Sequence, residues 1–356
     1  MAKDPNISGL LSYVGTNEAK LMKRLLNKLA IENDAVMLDT DVKSKKNLHK
    51  IIVANGAKPY TGDFVAKSDL SYVPRTITVE KAQRDLRIEP SKYRNTYFEF
   101  LRGRGENPKN MTIPFAQFTN EAIIDELAAE INNQSVYHGV GVAYFAAYAG
   151  GTAYAVGDKI TFTQDSELRY WECVTITTAG QSPDTHPAKW KWAGAKAICK
   201  GFGKMLAEEI TASAITPVTT GVTTASNAYA NSISVWRALP EVVKSTGGVL
   251  LMNYTNFEYL LDDYENKIAK NFEQVDGITY LAKTDRKCIV KPWSPMAGAN
   301  RIIATAPKNL VVGTDDAADM SSIKIIEAMY HYDQGMSWMM GTQFRDLDAL
   351  ACNEQA

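Results

Sequence analysis

The chain has 356 residues, 45% of them hydrophobic and 22% charged, with a formal net charge of -1. A chain of this length and composition folds, as about two domains, and is not a disordered segment. The near-zero charge argues against a dedicated nucleic-acid binder. Four cysteines (Cys173, Cys199, Cys288, Cys352) are scattered, with no CxxC and no histidine at ligand spacing. Free thiols in a reducing cytoplasm are expected, not a zinc site or a disulfide framework. The opening MAKDPNISGLL has no basic stretch followed by an apolar one, and no 18-residue window is uninterruptedly apolar. Neither a signal peptide nor a membrane span is expected.

Along the chain, Thr16 or Asn17 can cap a helix to about Ala30, with Leu21, Met22, Leu25, Leu26 and Leu29 on one stripe. Residues 1–50 carry a mild excess of Lys and Arg. Lys20, Lys23, Arg24 and Lys28 form a basic face that suits DNA, or simply solvent. From about Asp41 to Pro74 lysines, Gly56, Pro59 and Gly62 interrupt short β-like pieces. This excursion has too little apolar content to bury itself, the mark of a functional arm or loop. Arg75–Val79 alternates as a strand, and Tyr93–Leu101 has helical spacing. The strongest helix is NEAIIDELAAEINNQ, capped by Thr119 or Asn120, with Phe118, Ala122, Ile123, Leu127 and Ile131 on its apolar face. Further helices are predicted over about Ala195–Ile210, Asn227–Lys244 (ended by Gly247-Gly248) and Thr255–Ile268. Short strands are predicted at Val249–Met252, Ile278–Leu281, Cys288–Val290, Ile302-Ile303 and Leu310–Val312. A final strand pair over Ile323–Met340 would turn at Asp333-Gln334-Gly335. The class is α+β in mixed order, without βαβ alternation.

No enzyme signature emerges. Gly201-Phe202-Gly203-Lys204 lacks the leading glycine of a phosphate loop and has Met205 where Ser or Thr would hold magnesium. It falls inside a predicted helix, so its glycines read as close-packing positions. Asp315, Asp316 and Asp319 lack calcium-loop spacing and read as an exposed acidic loop. His49, His138, His186 and His331 are isolated from one another and from any nucleophile. No catalytic residue, metal site or cofactor is assigned.

Residues 142–194 form a compositional island, rich in Gly, Thr, Tyr and Trp and poor in helix formers. It reads as a small all-β domain inserted between helices. The order Tyr154-x-x-Gly157-Asp158-x-Ile160, Tyr170-Trp171-Glu172-Cys173, Ala179-Gly180-Gln181-Ser182-Pro183 and Trp190-x-Trp192 resembles chitin-binding carbohydrate modules over about forty residues. The resemblance implies glycan stacking on Trp192, Trp171, Trp190 and Tyr154. The competing reading makes Trp171, Trp190 and Tyr154 the core of a minimal domain, with Trp192 the ring most open to a ligand.

The flanking halves carry a second resemblance. Asn120–Val140 (NEAIIDELAAEINNQSVYHGV), Ala195–Gly221, Leu251–Lys267 (LMNYTNFEYLLDDYENK), Ala299–Asp315 and Met339–Leu350 (MMGTQFRDLDAL) resemble, in that order, stretches of tailed-phage major capsid proteins of the HK97 fold, especially the Bacteroidetes-phage branch. The resemblance implies an α+β, HK97-like capsid fold with N-arm, E-loop, spine helix, and peripheral and axial domains, plus the small all-β insertion. Its segments are an N-terminal arm over 1–40, E-loop and flanking peripheral segment over 41–117, spine helix over 118–141, inserted module over 142–194, peripheral domain over 195–225, axial domain over 226–300, and a return through axial and peripheral domains over 301–356. It implies a structural role with no enzyme activity: self-assembly through hexamers and pentamers into an icosahedral virion head, built in the host bacterial cytoplasm around double-stranded DNA held non-specifically. Portal, scaffolding and head-decoration proteins are the implied partners, with surface glycans as a partner of the module and no membrane. Inter-subunit contacts would fall on Lys58, Tyr60, Lys67 and Tyr72 of the extended loop, and DNA contacts on Lys20, Lys23, Arg24 and Lys28. Lys–Asn crosslinking, known in some relatives, is not expected of Lys58 or Lys67. Two rivals stand beside this reading: an encapsulin-like compartment shell protein and a carbohydrate-binding protein. The second lacks a secretion signal and a catalytic domain with paired carboxylates.

Overall fold

The computed structural model describes residues 21, 24, 34–53, 70–88, 113–141, 145–164, 167–194, 198–268, 274–275, 277–315, 322–327 and 331–355. In chain order they form β1 (Val36–Asp39), β2 (Lys45–Val53), β3 (Leu70–Thr78), β4 (Glu80–Ile88), α1 (Ile113–Ile131), β5 (Ala146–Ala147), β6 (Lys159–Gln164), β7 (Glu167–Cys173) and β8 (Trp190–Gly194). There follow α2 (Phe202–Thr211), α3 (Ala228–Arg237), α4 (Glu241–Thr246), β9 (Gly248–Met252), α5 (Tyr254–Ile268), β10 (Gln274–Val275), β11 (Ile278–Tyr280), β12 (Cys288–Pro292), β13 (Ile303–Thr305), β14 (Leu310–Gly313), β15 (Ser322–Glu327), β16 (Tyr332–Phe344) and β17 (Leu350–Cys352). The chain is divided between two units. One takes Met1–Ala30, Glu80–Gly201 and Thr314–Met340, the other Ile31–Val79, Phe202–Gly313 and Gly341–Ala356.

The first unit is built on α1. Its buried stripe is Asn120, Ile124, Leu127, Ala128 and Ile131, spaced three and four apart so that one face meets the core. The helix begins at Ile113, six residues before the predicted cap. Asn120 is therefore not a cap; it is buried and accepts a hydrogen bond from Gln334 Nε2 at 2.9 Å. Leu127 and Ile131 are buried as expected, but earlier in the helix Ile124 is buried while Ala122 is exposed. A π-helical turn, Asn132–Val136, ends the helix. Residues 332–337 of β16 pair with β15 on one side and residues 332–340 pair with β4 on the other. The predicted turn at Asp333-Gln334-Gly335 lies within that central strand, and the chain reverses before Tyr332 instead.

The same unit contains the four-stranded sheet β5-β6-β7-β8. Cross-strand partners share a sheet face, so Ile160, Trp171 and Trp192 line one side together. Tyr154, Ile160, Cys173 and Trp190 are its buried core, with Tyr148, Phe162 and Trp171 packed against them. Gly157, at φ 93°, makes the turn before β6 and donates its N–H to the Cys173 carbonyl at 2.8 Å. Asp158 accepts the Ala155 N–H at 2.7 Å and closes that turn.

The second unit is built on the six-stranded sheet β10-β11-β12-β9-β13-β17. Every residue of the central strand β9 is buried, which explains its unbroken apolar run. Helix α5 places Leu260 and Tyr264 in this core with Phe257 and Leu261 beside them, and α3 adds Ile233, Val235 and Trp236. Asn253 caps α5, accepting the Asn256 N–H at 2.6 Å. Buried Asp263 of α5 accepts the Tyr229 N–H at the start of α3 and pairs with Lys267 at 2.7 Å. The predicted helix 227–244 is two helices. Pro240 offers no N–H to continue the first and stands as the N-cap of α4. Helix α2 starts at Phe202, not at 195. Parallel β1 pairs with β14, which pairs in turn with residues 341–344 of β16.

The predicted helix over Tyr93–Leu101 lies outside the described residues, as does most of the helix to Ala30. Leu21 and Arg24 are helical, and Leu21 is buried. All four cysteines are free and buried, and burial pushes the Cys199 thiol up to about 12. Among the described residues no helix is long and apolar enough to cross a membrane, and no cluster of His, Cys, Asp or Glu could hold a metal.

Candidate assembly surfaces

The extended segment becomes a ribbon. β2 and β3 pair antiparallel over nine positions, from Lys45↔Thr78 to Val53↔Leu70, with no third strand beside them among the described residues. Strand alternation sorts the side chains. Lys46, Leu48 and Lys50 share one face with Arg75 and Ile77; Lys45, Asn47, Tyr72, Pro74 and Thr76 share the other. The second face is exposed, Tyr72 at 59%. The first meets its own unit. Ile77 is fully buried beside Gly313, in a pocket shared with Val42 and Val79. Lys46 reaches Asp39 at 2.8 Å, and Lys50 Nζ lies 2.7 Å from both Asp346 and Asp348. Arg75 bonds Glu209 of α2 at 2.5 Å and Gln343 Oε1 at 3.1 Å, and Gln343 Nε2 returns a bond to the Thr76 carbonyl at 3.0 Å.

Of the loop contacts expected from sequence, Tyr72 is on the open face of this ribbon. Lys58, Tyr60 and Lys67 lie outside the described residues. The three cations of the inward face were not singled out from sequence. Their spacing, Lys46-x-x-x-Lys50, is a strand-face signal, but the register that adds Arg75 to them is not visible in one strand alone.

The basic face predicted for DNA divides. Lys20, Lys23 and Lys28 lie outside the described residues. Arg24 is turned inward: its Nε and Nη2 each lie 3.0 Å from the Asp125 carboxylate, and Nη1 lies 2.5 Å from Glu121. These acids sit four apart on α1, on one face, and they spend the guanidinium's charge within the subunit. The Asp125 hydrogen bond is the largest of the effects that raise the Arg24 pKa.

In the β module the expected glycan rings separate. Tyr154 and Trp190 are buried at 8% and 4% and have no face for a sugar. Their rings pack edge-on at 5.3 Å, the Tyr154 hydroxyl accepts the Ala149 N–H at 2.7 Å, and Trp190 Nε1 donates to the Gln181 carbonyl at 3.0 Å. Trp171 is half-buried against the same core. Trp192 is 41% exposed, but one side of its indole lies against His138, with ring centroids 4.9 Å apart. His138 belongs to the turn that follows α1, so Trp192 ties the module to that turn.

The chain enters and leaves the module at adjacent points. Val140 and Lys200 form an antiparallel bridge, Gly141 N–H donates to Cys199 O at 3.1 Å, and Gly201 N–H donates to Gly139 O at 2.8 Å. Gly139 and Gly201 are needed for this approach, because a Cβ on either would strike backbone of the other strand. The expectation that Gly201 is a close-packing glycine holds, although it precedes α2 instead of lying within it.

No protein-family model matches the chain, and no curated protein matches it. Among solved structures, a chain of the satellite phage P4 procapsid including size determination (Sid) protein is similar at 13% identity over 94% of this chain and 90% of its own, with a TM-score of 0.52. Lower-scoring likenesses are to the capsid of an empty GTA particle (11% identity, 92% of this chain and 89% of that one, TM-score 0.46) and to the SrpI encapsulin complex of Synechococcus elongatus PCC 7942 (10%, 93% and 86%, TM-score 0.42). The fold of this chain is therefore that of a phage procapsid chain, a mixed arrangement of helices and sheets.

Proposed function

We propose that this chain is the major capsid protein of a tailed bacteriophage, a shell subunit of HK97-like architecture and not an enzyme. The observation that carries the reading is the procapsid likeness, which runs through nearly the whole of both chains. The ribbon supports it. A two-stranded ribbon with one face on its own unit and the other exposed at Tyr72, Pro74 and Thr76 is marginal alone and gains burial from a second copy. Many such modest contacts per subunit make a shell stable by multivalency. On this reading the partners are further copies in hexamers and pentamers, scaffolding, portal and decoration proteins, and double-stranded DNA held non-specifically in the virion head. Placement in the Bacteroidetes-phage branch rests on the residue stretches alone.

Within the same reading, 142–194 is an insertion placed on the outer surface. Support comes from its junction, where Gly139–Gly141 and Cys199–Gly201 are already hydrogen-bonded to each other without it. Replacing 142–198 with a short Gly-Ser linker should leave the remaining chain folded. The test of function is the expressed chain, with its scaffolding partner, in the electron microscope and the ultracentrifuge. Rings or closed shells are expected, and DNA content separates a phage head from an encapsulin-like compartment. A chain that remains monomeric at high concentration with the scaffold present, and binds chitin oligomers tightly, would overturn the assignment in favour of a carbohydrate-binding protein.

A further inference from the structure

The β2–β3 ribbon is held to its own unit in two chemically distinct ways. At the root the contact is apolar: Ile77 is buried, and Gly313 leaves room for its side chain beside Val42 and Val79. The rest of the inward face meets the body through charge, with Lys46 opposite Ile77 at the root and Arg75 and Lys50 successively beyond it. The cations Lys46, Lys50 and Arg75 are all on the ribbon; the acids Asp39, Asp346, Asp348 and Glu209 are all on the body. The asymmetry is not a matter of composition, since the ribbon's other face carries Lys45 with no acid opposite it in the register, only Thr78.

We infer that these three cations form an ionic latch that sets the angle of the ribbon, closed at low ionic strength and released by salt. The partners are half-buried, Lys50 at 28% and Asp346 at 27%, and Asp348 is open at 83%. Screening acts most on the open Asp348 and less on the half-buried partners, as the Debye length falls from about 10 Å at 0.1 M salt to about 3 Å at 1 M. The root does not respond, because burial of Ile77 does not weaken with salt. The ribbon thus pivots about its apolar root instead of unfolding. The latch is a property of the single chain and does not rest on the shell reading; a chain that never assembles would still show it.

The test uses two spin labels on the full chain, at Ser71→Cys on the ribbon and Ser245→Cys on α4 of the same unit, both exposed. The native thiols are buried, so the label goes to the introduced ones. Labelled chain is diluted into unlabelled chain so that only distances within one copy are read. A single narrow distance is expected at low salt, broadening in about 1 M salt. Lys50→Met and the pair Asp346→Asn with Asp348→Asn should broaden it at low salt, raising the open fraction roughly fivefold. Lys50→Arg, which keeps the charge, should restore the narrow distance and separates charge from packing. A distribution that neither salt nor Lys50→Met changes overturns the latch. Should the variants fail to fold, the salt titration of the unaltered ribbon decides alone.

Discussion

Gly201→Ala is the sharpest probe of how the strand entering α2 packs against the turn that follows α1. A methyl at Gly201 would meet the Tyr137 carbonyl oxygen, its carbon at 2.6 Å and the Gly139 nitrogen at 2.7 Å. All three are backbone atoms, so no side chain can turn aside. The strands must separate, breaking the Gly201–Gly139 hydrogen bond at 2.8 Å and loosening the Gly141–Cys199 bond at 3.1 Å. Two such bonds are worth about 1 kcal/mol each, and forced overpacking costs about 1–3 kcal/mol more. Against this stands the gain from a stiffer unfolded chain, about 0.4–1 kcal/mol for Gly to Ala. The net is a loss of about 2–4 kcal/mol. The assay is urea unfolding of the unassembled chain. Gly151→Ala serves as control, since its Cβ would meet nothing within 4 Å. If Gly201→Ala is neutral or stabilising, the backbone crossing described here is wrong.

Three further outcomes are expected. Burial opposes ionisation of Glu354, yet the N–H groups of Thr220 and Gly221, at 2.9 and 2.7 Å, hold its carboxyl at about 2. A lowered pKa means stability present above the ordinary 4.5 and lost as pH falls toward 2. Glu354→Gln should cost about 1–2 kcal/mol at neutral pH, a figure discounted for solvent screening. In thermal melts its difference from the unaltered chain should shrink by more than half by about pH 3; a difference constant with pH would count against this carboxylate's role. Arg24→Ala removes the cation that lies between Glu121 and Asp125 and should cost about 1–3 kcal/mol; Arg24→Lys should recover only part, lacking the two-pronged contact. Full recovery by lysine, read by urea unfolding, would contradict that geometry. Chitin oligosaccharides should leave tryptophan emission unchanged, because three of the four module rings are engaged in packing and the fourth leans on His138. Saturable quenching that Trp192→Ala abolishes would refute this.

The elements most legible in the sequence were those whose burial is local. The run Val249–Met252 and the α5 periodicity appear where expected, because each reads directly as a face against one core. The change in composition over 142–194 coincides with the β5–β8 sheet, and Gly157-Asp158 forms a turn there. Errors arose where a long-range contact overrode a local signal. Asn120 resembles a cap but satisfies Gln334 inside the core. Asp333-Gln334-Gly335 has turn chemistry, yet it is paired on both sides by neighbouring strands. Apolar periodicity carried the helix reading through Leu239-Pro240, where the missing N–H stops it. The assembly surface was legible only as a segment too polar to bury itself; which of its cations face inward depends on register between strands far apart in sequence. Arg24 reads from sequence as part of a basic face suiting DNA or solvent, because its acids lie about a hundred residues away.

The division of the chain has a consequence for timing. It passes between the two units five times, and β16 supplies both the middle strand of one sheet and the partner of β14 in the other unit. While the ribosome is still upstream of Tyr332, β4 has no strand to pair with in its sheet, and β13 lacks its neighbour β17 until Leu350–Cys352 emerge. Folding that waits on such distant partners is slow. A half-made chain therefore lacks strands that both units need, and neither is complete until the last residues of β16 and β17 have been made.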